Sequence, residues 1–131
     1  MSGTIVVAYS PDAFGEAALT TGIDEARLRG GDLLVVNGTR GDALVDEGFA
    51  TRDQVEALDR RLAETGVAHE VRQTLGADVG DLVVEAARER QASLVVVGVR
   101  RRSPVGKLLM GSVAQRVLLT ADCPVLAVKP D

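Results

Sequence analysis

Leu94-Val95-Val96-Val97-Gly98 is a β-branched apolar run, Val113-Ala114-Gln115-Arg116-Val117-Leu118 follows with helical spacing, and Cys123-Pro124-Val125-Leu126-Ala127-Val128 is a second apolar run. A strand, a loop, a helix and another strand are the simplest reading of that order. Both runs are almost continuously apolar rather than alternating, as in strands of a parallel sheet covered on both faces. Working outward, Ile5–Ala8 and Leu33–Val36 have the same character. A fifth segment, Val67 to Leu75, carries Val67, Val71 and Leu75 with His69 and Gln73 between them. That mixture predicts a wetter face and an edge position.

Helical patterns fill the intervals. Ala17, Ala18, Thr21, Ala26 and Leu28 follow the first run, and Val55, Leu58 and Leu62 follow the second. Val79, Leu82, Val83, Ala86 and Ala87 form a third stripe, and Val113, Ala114, Val117, Leu118 and Ala121 a fourth. Gly30-Gly31, Gly66 and Cys123-Pro124 stand where helices should stop. Strand and helix alternate throughout, which predicts an α/β domain with a parallel sheet and helices on both faces. Ligands of such sheets bind at the carboxyl ends of the strands, near the reversal of strand order. Those ends are Tyr9–Asp12, Asn37-Gly38 and Gly98 onward.

The chain has 131 residues, which suits a single domain spanning 1–131. It is 46% hydrophobic with only 2% aromatics, so Val, Leu and Ala must fill the core and base-stacking platforms are disfavoured. A single Cys, Cys123, and a single His, His69, exclude an internal disulfide and a zinc cage. No signal-peptide pattern precedes Thr4-Ile5-Val6-Val7, and no apolar run approaches the ~20 residues of a membrane span, so a cytoplasmic location is expected.

The net charge of −4 disfavours general nucleic-acid or anionic-membrane binding, but its distribution is uneven. Between Gln91 and Ala121 there is no acid, while Arg100, Arg101, Arg102, Lys107 and Arg116 all fall there. A basic island in an acidic chain points either to a local anionic ligand or to a solvated loop. No Gly-x-Gly-x-x-Gly follows the first strand, where Tyr9-Ser10-Pro11-Asp12-Ala13-Phe14-Gly15 stands instead. The P-loop spacing is also absent: seven residues separate Gly98 from Gly106, and Leu108 follows Lys107 where a Ser or Thr would hold magnesium. His69 and Cys123 read as structural residues, and nothing assembles a nucleophile, base and oxyanion hole.

The segment from Val97 to Val113 carries the chemistry that remains. It leaves a buried strand and enters a helix near Gly111-Ser112, with Ser112 suited to the N-cap. A helix start offers free N–H groups and a partial positive charge to a phosphate. Gly98 and Gly111 allow close approach or positive φ, and Arg100, Arg101 and Lys107 offer counter-charge.

At these residues the chain resembles the universal stress protein family. The family pattern is Gly-x-x-Gly, nine residues, then Gly-Ser/Thr before a helix and a Cys-Pro-Val-type last strand. Gly98-Val99-Arg100-Arg101, nine residues and Gly111-Ser112 match it in register, and Cys123-Pro124-Val125 continues the match. Glu25-Ala26-Arg27-Leu28-Arg29-Gly30-Gly31-Asp32-Leu33 and Glu85-Ala86-Ala87-Arg88-Glu89 extend it over essentially the whole chain. The resemblance implies a five-stranded sheet of order 3-2-1-4-5, with Val67–Leu75 at one edge. It also implies a homodimer joined through Val125, Leu126, Ala127 and Val128, and a role in regulation rather than fast catalysis.

Many members bind ATP or another adenine nucleotide, with or without Mg2+. By the resemblance, Asp12 supplies the acid after the first strand, with Ser10 at that place in an alternative alignment and Pro11 between them. Val97, Gly98, Gly111, Ser112 and Val113 map onto the ribose and phosphate loop, and Val36 and Asn37 flank the base. Arg101 replaces the second motif glycine, either closing the pocket or reaching the phosphates together with Arg100 and Lys107. The competing readings are a nucleotide-free dimeric module whose basic loop holds a partner protein or inorganic anion, and a small hydrolase or transferase.

Overall fold

A computed structural model describes residues 3–39, 48–76, 78–99 and 111–130. The element order is β1 (Thr4–Ala8), α1 (Ala13–Arg29), β2 (Asp32–Thr39), α2 (Arg52–Glu64), β3 (His69–Leu75), α3 (Val79–Arg90), β4 (Leu94–Gly98), α4 (Ser112–Thr120) and β5 (Val125–Val128). The strands form one parallel sheet in the order β3-β2-β1-β4-β5, so strand order reverses beside β1. Val7 pairs with Val35 on one side and Val96 on the other, and Val96 pairs in turn with Leu126.

Strand side chains alternate between the two faces, and each face makes its own core. Ile5, Val7, Leu33, Val35 and Val96 pack against Leu19 and Ala26 of α1 and Leu58 and Leu62 of α2. Val6, Leu34, Val36, Val95 and Val97 pack on Val83 and Ala87 of α3 and Ala114 and Val117 of α4. Continuous β-branched runs are thus explained by burial from both sides. The expected stops hold where the chain reverses: Gly30 caps α1 in the left-handed region at φ 65°. There its amide reaches Ala26 and Arg27 carbonyls, a conformation that costs glycine little.

Three local expectations need correction. Leu28 is 80% exposed rather than part of the α1 stripe, whose buried positions are Gly15, Ala18, Leu19, Gly22 and Ala26. A short helix face against a flat sheet uses residues spaced three and four apart, and Leu28 falls outside that arc. Leu118 is 40% exposed, so Ala114 and Val117 alone are the buried anchors of α4. Val67 precedes β3, which begins at His69; Val67 and Val71 pack on the α1–α2 core while Leu75 is 58% exposed.

Polar groups of β3 are tied to neighbouring helices. His69 Nε2 lies 3.0 Å from Asp59 Oδ1 on α2, and its Nδ1 lies 3.0 Å from the Val67 carbonyl. Arg72 donates to Glu89 on α3, and Arg90 pairs with Glu70. His69 therefore anchors α2 to the edge strand, as a structural histidine. Cys123 is half-buried between α4 and β5, and burial pushes its thiol pKa up, which disfavours the reactive thiolate. No helix among the described residues is long and apolar enough to cross a membrane.

Candidate functional site

The carboxyl ends of β1 and β4 open onto a cleft of about 520 Å3. Its walls come from three helix starts: Asp12, Phe14 and Gly15 before and within α1, Val79 of α3, and Gly111–Ala114 at α4. Ala8, Tyr9 and Ser10 close the β1 side, Val97 and Gly98 the β4 side, and Gly38 and Gly48 the β2 side. The cleft therefore sits at the reversal of strand order, where open parallel sheets place their ligands.

The α1 side is internally satisfied. Asp12 is the N-cap in extended backbone, and its Oδ1 accepts from Gly15 N at 2.9 Å and from Ser10 Oγ at 2.8 Å. The Tyr9 hydroxyl donates to Glu16 Oε1 at 3.3 Å. Arg61 of α2 meets both Glu16 oxygens, at 3.0 and 2.7 Å, in a fork-to-fork pair. Burial, then the Glu16 carboxylate, pushes the Tyr9 pKa up to about 12. The hydrogen bond from Arg61 holds the Glu16 carboxyl below its usual range.

The α4 side is built differently. Gly111, at φ −69° and ψ 161°, is the N-cap and supplies no side-chain hydrogen bond. Ser112 is the first helical residue, not the cap expected from the sequence: the extended residue preceding the helix is Gly111, so no hydroxyl stands where a cap would fold back. A Cβ at Gly111 would meet no atom of the other described residues within 4 Å. Gly98 has the opposite reason for being glycine. A Cβ there would lie 2.3 Å from the Phe14 carbonyl, so its absence lets β4 pack against the start of α1. Neither glycine has positive φ.

Of the residues expected at the site, Ser10, Asp12, Val97, Gly98, Gly111, Ser112 and Val113 line one cleft. Val36 and Asn37 do not: Val36 is in the α3–α4 core, and Asn37 is 1% exposed behind the wall. Pro11 lies instead beside the Glu16–Arg61 pair. Arg100, Arg101 and Lys107 lie outside the described residues. Gly38, expected only as a strand end, also lines the cleft, whereas Gly48 and Val79 were not anticipated; Gly48 reaches the cleft through tertiary contacts that local pattern does not encode.

The cleft falls in the size range of small-ligand sites, roughly 300–1,000 Å3. Its lining fits a nucleotide: helix-start amides to donate to phosphate, the acceptor-only Asp12 carboxylate for a hydroxyl or amine, and Val79, Val97 and Val113 for an apolar ring. Among the described residues no group of three or more His, Cys, Asp and Glu could hold a metal ion.

Comparison with known proteins agrees with this geometry. The model of the universal stress protein family matches residues 1–129. The chain is 51% identical over 126 residues to a universal stress protein of Mycolicibacterium smegmatis, covering 96% of this chain and 97% of that one. It is similar to the solved universal stress protein of Archaeoglobus fulgidus at TM-score 0.76 and 30% identity, over 98% and 99% of the two chains. A universal stress protein of the same organism in complex with dAMP superposes at TM-score 0.63 and 26% identity, over 98% of each. The crystal structure of a universal stress protein in complex with cAMP superposes at TM-score 0.67 and 25% identity over the full length of both chains.

Proposed function

The chain belongs to the universal stress protein family, and on that premise we propose that it binds an adenine nucleotide, ATP foremost, in the cleft between the starts of α1 and α4. The observation that carries this reading is the α4 start: a helix N-terminus without a side-chain cap, opening onto a cleft of nucleotide size. Similar structures hold dAMP and cAMP, which favours adenine over other bases. In this reading the phosphates meet Ser112–Ala114 amides, and Asp12 accepts from a ribose hydroxyl or exocyclic amine. Arg100, Arg101 and Lys107 supply counter-charge from the preceding loop, so Arg101 replaces a glycine contact with charge. Magnesium, where present, arrives with the phosphates. The role is regulatory, by occupancy, without fast catalysis.

The active form in this proposal is a homodimer joined through Val125–Val128. Leu126 at that edge is 37% exposed, and Leu118 and Leu119 on α4 are exposed as well. An apolar, uncharged edge strand invites pairing. Leu126→Asp is expected to convert a sedimenting dimer to monomer; a variant that stays dimeric removes the assignment.

Equilibrium titration with ATP, with and without magnesium and against GTP, tests the nucleotide reading. Saturable micromolar uptake, weakly displaced by GTP and lost in a folded Gly111→Trp variant, is expected. No uptake at millimolar ATP would contradict it, and would favour the reading in which Arg101 closes the pocket and the basic loop serves a partner protein or inorganic anion.

A further inference from the structure

Asn37 lies behind the cleft wall and uses its whole hydrogen-bonding capacity. Its Nδ2 donates to the Tyr9 carbonyl at 2.8 Å and the Gly48 carbonyl at 2.9 Å. Its Oδ1 accepts from Ala50 N at 2.9 Å and from Gln73 Nε2 at 3.0 Å. Gln73 Nε2 also donates to the Ala50 carbonyl at 2.9 Å. The amide orientation is fixed by this set, because a flip would set oxygen against two carbonyls and NH2 against two donors. One buried side chain thus joins the end of β1, the segment entering α2, and the edge strand β3.

The two residues whose carbonyls Asn37 holds, Tyr9 and Gly48, both line the cleft. Sheet order tells which part of a ligand they face. β2 and β4 flank β1 on opposite sides. The α4 start follows β4, whereas Gly38 belongs to β2 and Gly48 lies between β2 and α2. A phosphate at the α4 start leaves the nucleoside over β1, toward Tyr9 and Gly48. Resting on the nucleotide reading above, we infer that Asn37, with Gln73 as its support, is a positioning residue for the nucleoside end of the site. It holds that wall in place before the ligand arrives, so that binding need not order it. An amide suits the task because it offers two donors and an acceptor oxygen; Asp lacks the donors and Leu lacks both.

Calorimetric titration of the parent, Asn37→Asp and Gln73→Leu with adenosine, ATP and tripolyphosphate tests this. For Asn37→Asp, adenosine and ATP are expected to weaken by a common factor of about tenfold or more, with tripolyphosphate unchanged. Gln73→Leu, on an edge strand, should show the same pattern at roughly two- to fivefold and decides the matter if Asn37→Asp does not fold. Folded variants that bind adenosine like the parent overturn the inference, as does an equal loss for tripolyphosphate, which marks a merely structural role. A parent that takes up no nucleotide overturns the nucleotide reading and this inference with it; unaffected variants of a binding parent overturn this inference alone.

Discussion

The starts of α1 and α4 occupy equivalent places in the fold, each after a central strand and beside the same cleft, yet their first amides are treated differently. At α1 the chain supplies its own anion: Asp12 caps Gly15, and Ser10 steadies the carboxylate. Asp78 does the same for α3 by accepting from Asp81 N. At α4 the N-cap is Gly111, without a side chain to donate or accept. Every helix start carries orphan N–H groups and a partial positive charge. Where a side chain satisfies them the helix start serves as a wall, and in the proposed function the uncapped α4 start is where the phosphates bind. Removing the α4 difference should therefore remove the function and leave the fold.

The sharpest way to break the contrast is to give α4 the cap that α1 has. Gly111→Asp adds a Cβ that meets no other described residue, at an ordinary φ. Its carboxylate should cap the helix and repel phosphate, lowering ATP affinity by about tenfold or more while thermal stability stays level or rises by a few tenths of a kcal/mol. Unchanged ATP affinity would sever the α4 start from the site. The reverse change, Asp12→Ala, strips α1 of its cap. It should cost about 1 kcal/mol in chemical denaturation, a loss that Gly111 variants should not show.

The smallest effect is spectroscopic. Tyr9 is the sole tyrosine, so an ultraviolet pH titration reads it alone. Its midpoint is expected at about 12, because burial and Glu16 both oppose the phenolate. The unfolded chain ionises near its ordinary value of about 10 and the folded one later, so this contribution to stability is complete below about 10 and is lost as pH rises toward about 12. For Glu16 the sign is opposite. Its folded pKa lies below the unfolded value, so its contribution is present at neutral pH and is lost as acid protonates it. A Tyr9 midpoint at the ordinary value would mean that the α1 wall is looser than described.

Much of the fold was legible because parallel strands buried on both faces leave a local trace. Ile5–Ala8, Leu33–Val36, Leu94–Val97 and Val125–Val128 all lie within strands, and Leu58, Leu62, Val83 and Val117 are buried on their helices. Leu28 misled because its helix turns it to solvent, a matter of the sheet's position rather than of hydrophobicity. At the site, the residues at strand ends and helix starts were legible from their neighbours in sequence. Asn37 was legible as a residue at a strand end and, by the resemblance, as one flanking the base, but not as a buried residue behind the cleft wall. Its real contacts, to Tyr9, Gly48, Ala50 and Gln73, are set by how two loops and an edge strand meet. Ser112 illustrates the same limit at closer range: a one-residue shift in the helix start makes Gly111 rather than Ser112 the N-cap, so no side chain at that position caps the helix.

The most direct test of that distinction is the backbone amide spectrum during ATP titration. The account predicts large, saturable shifts at Ser112, Val113 and Ala114, with the Gly15 amide, already held by Asp12, moving little. Saturable ATP binding that leaves the α4 amides unmoved would contradict it.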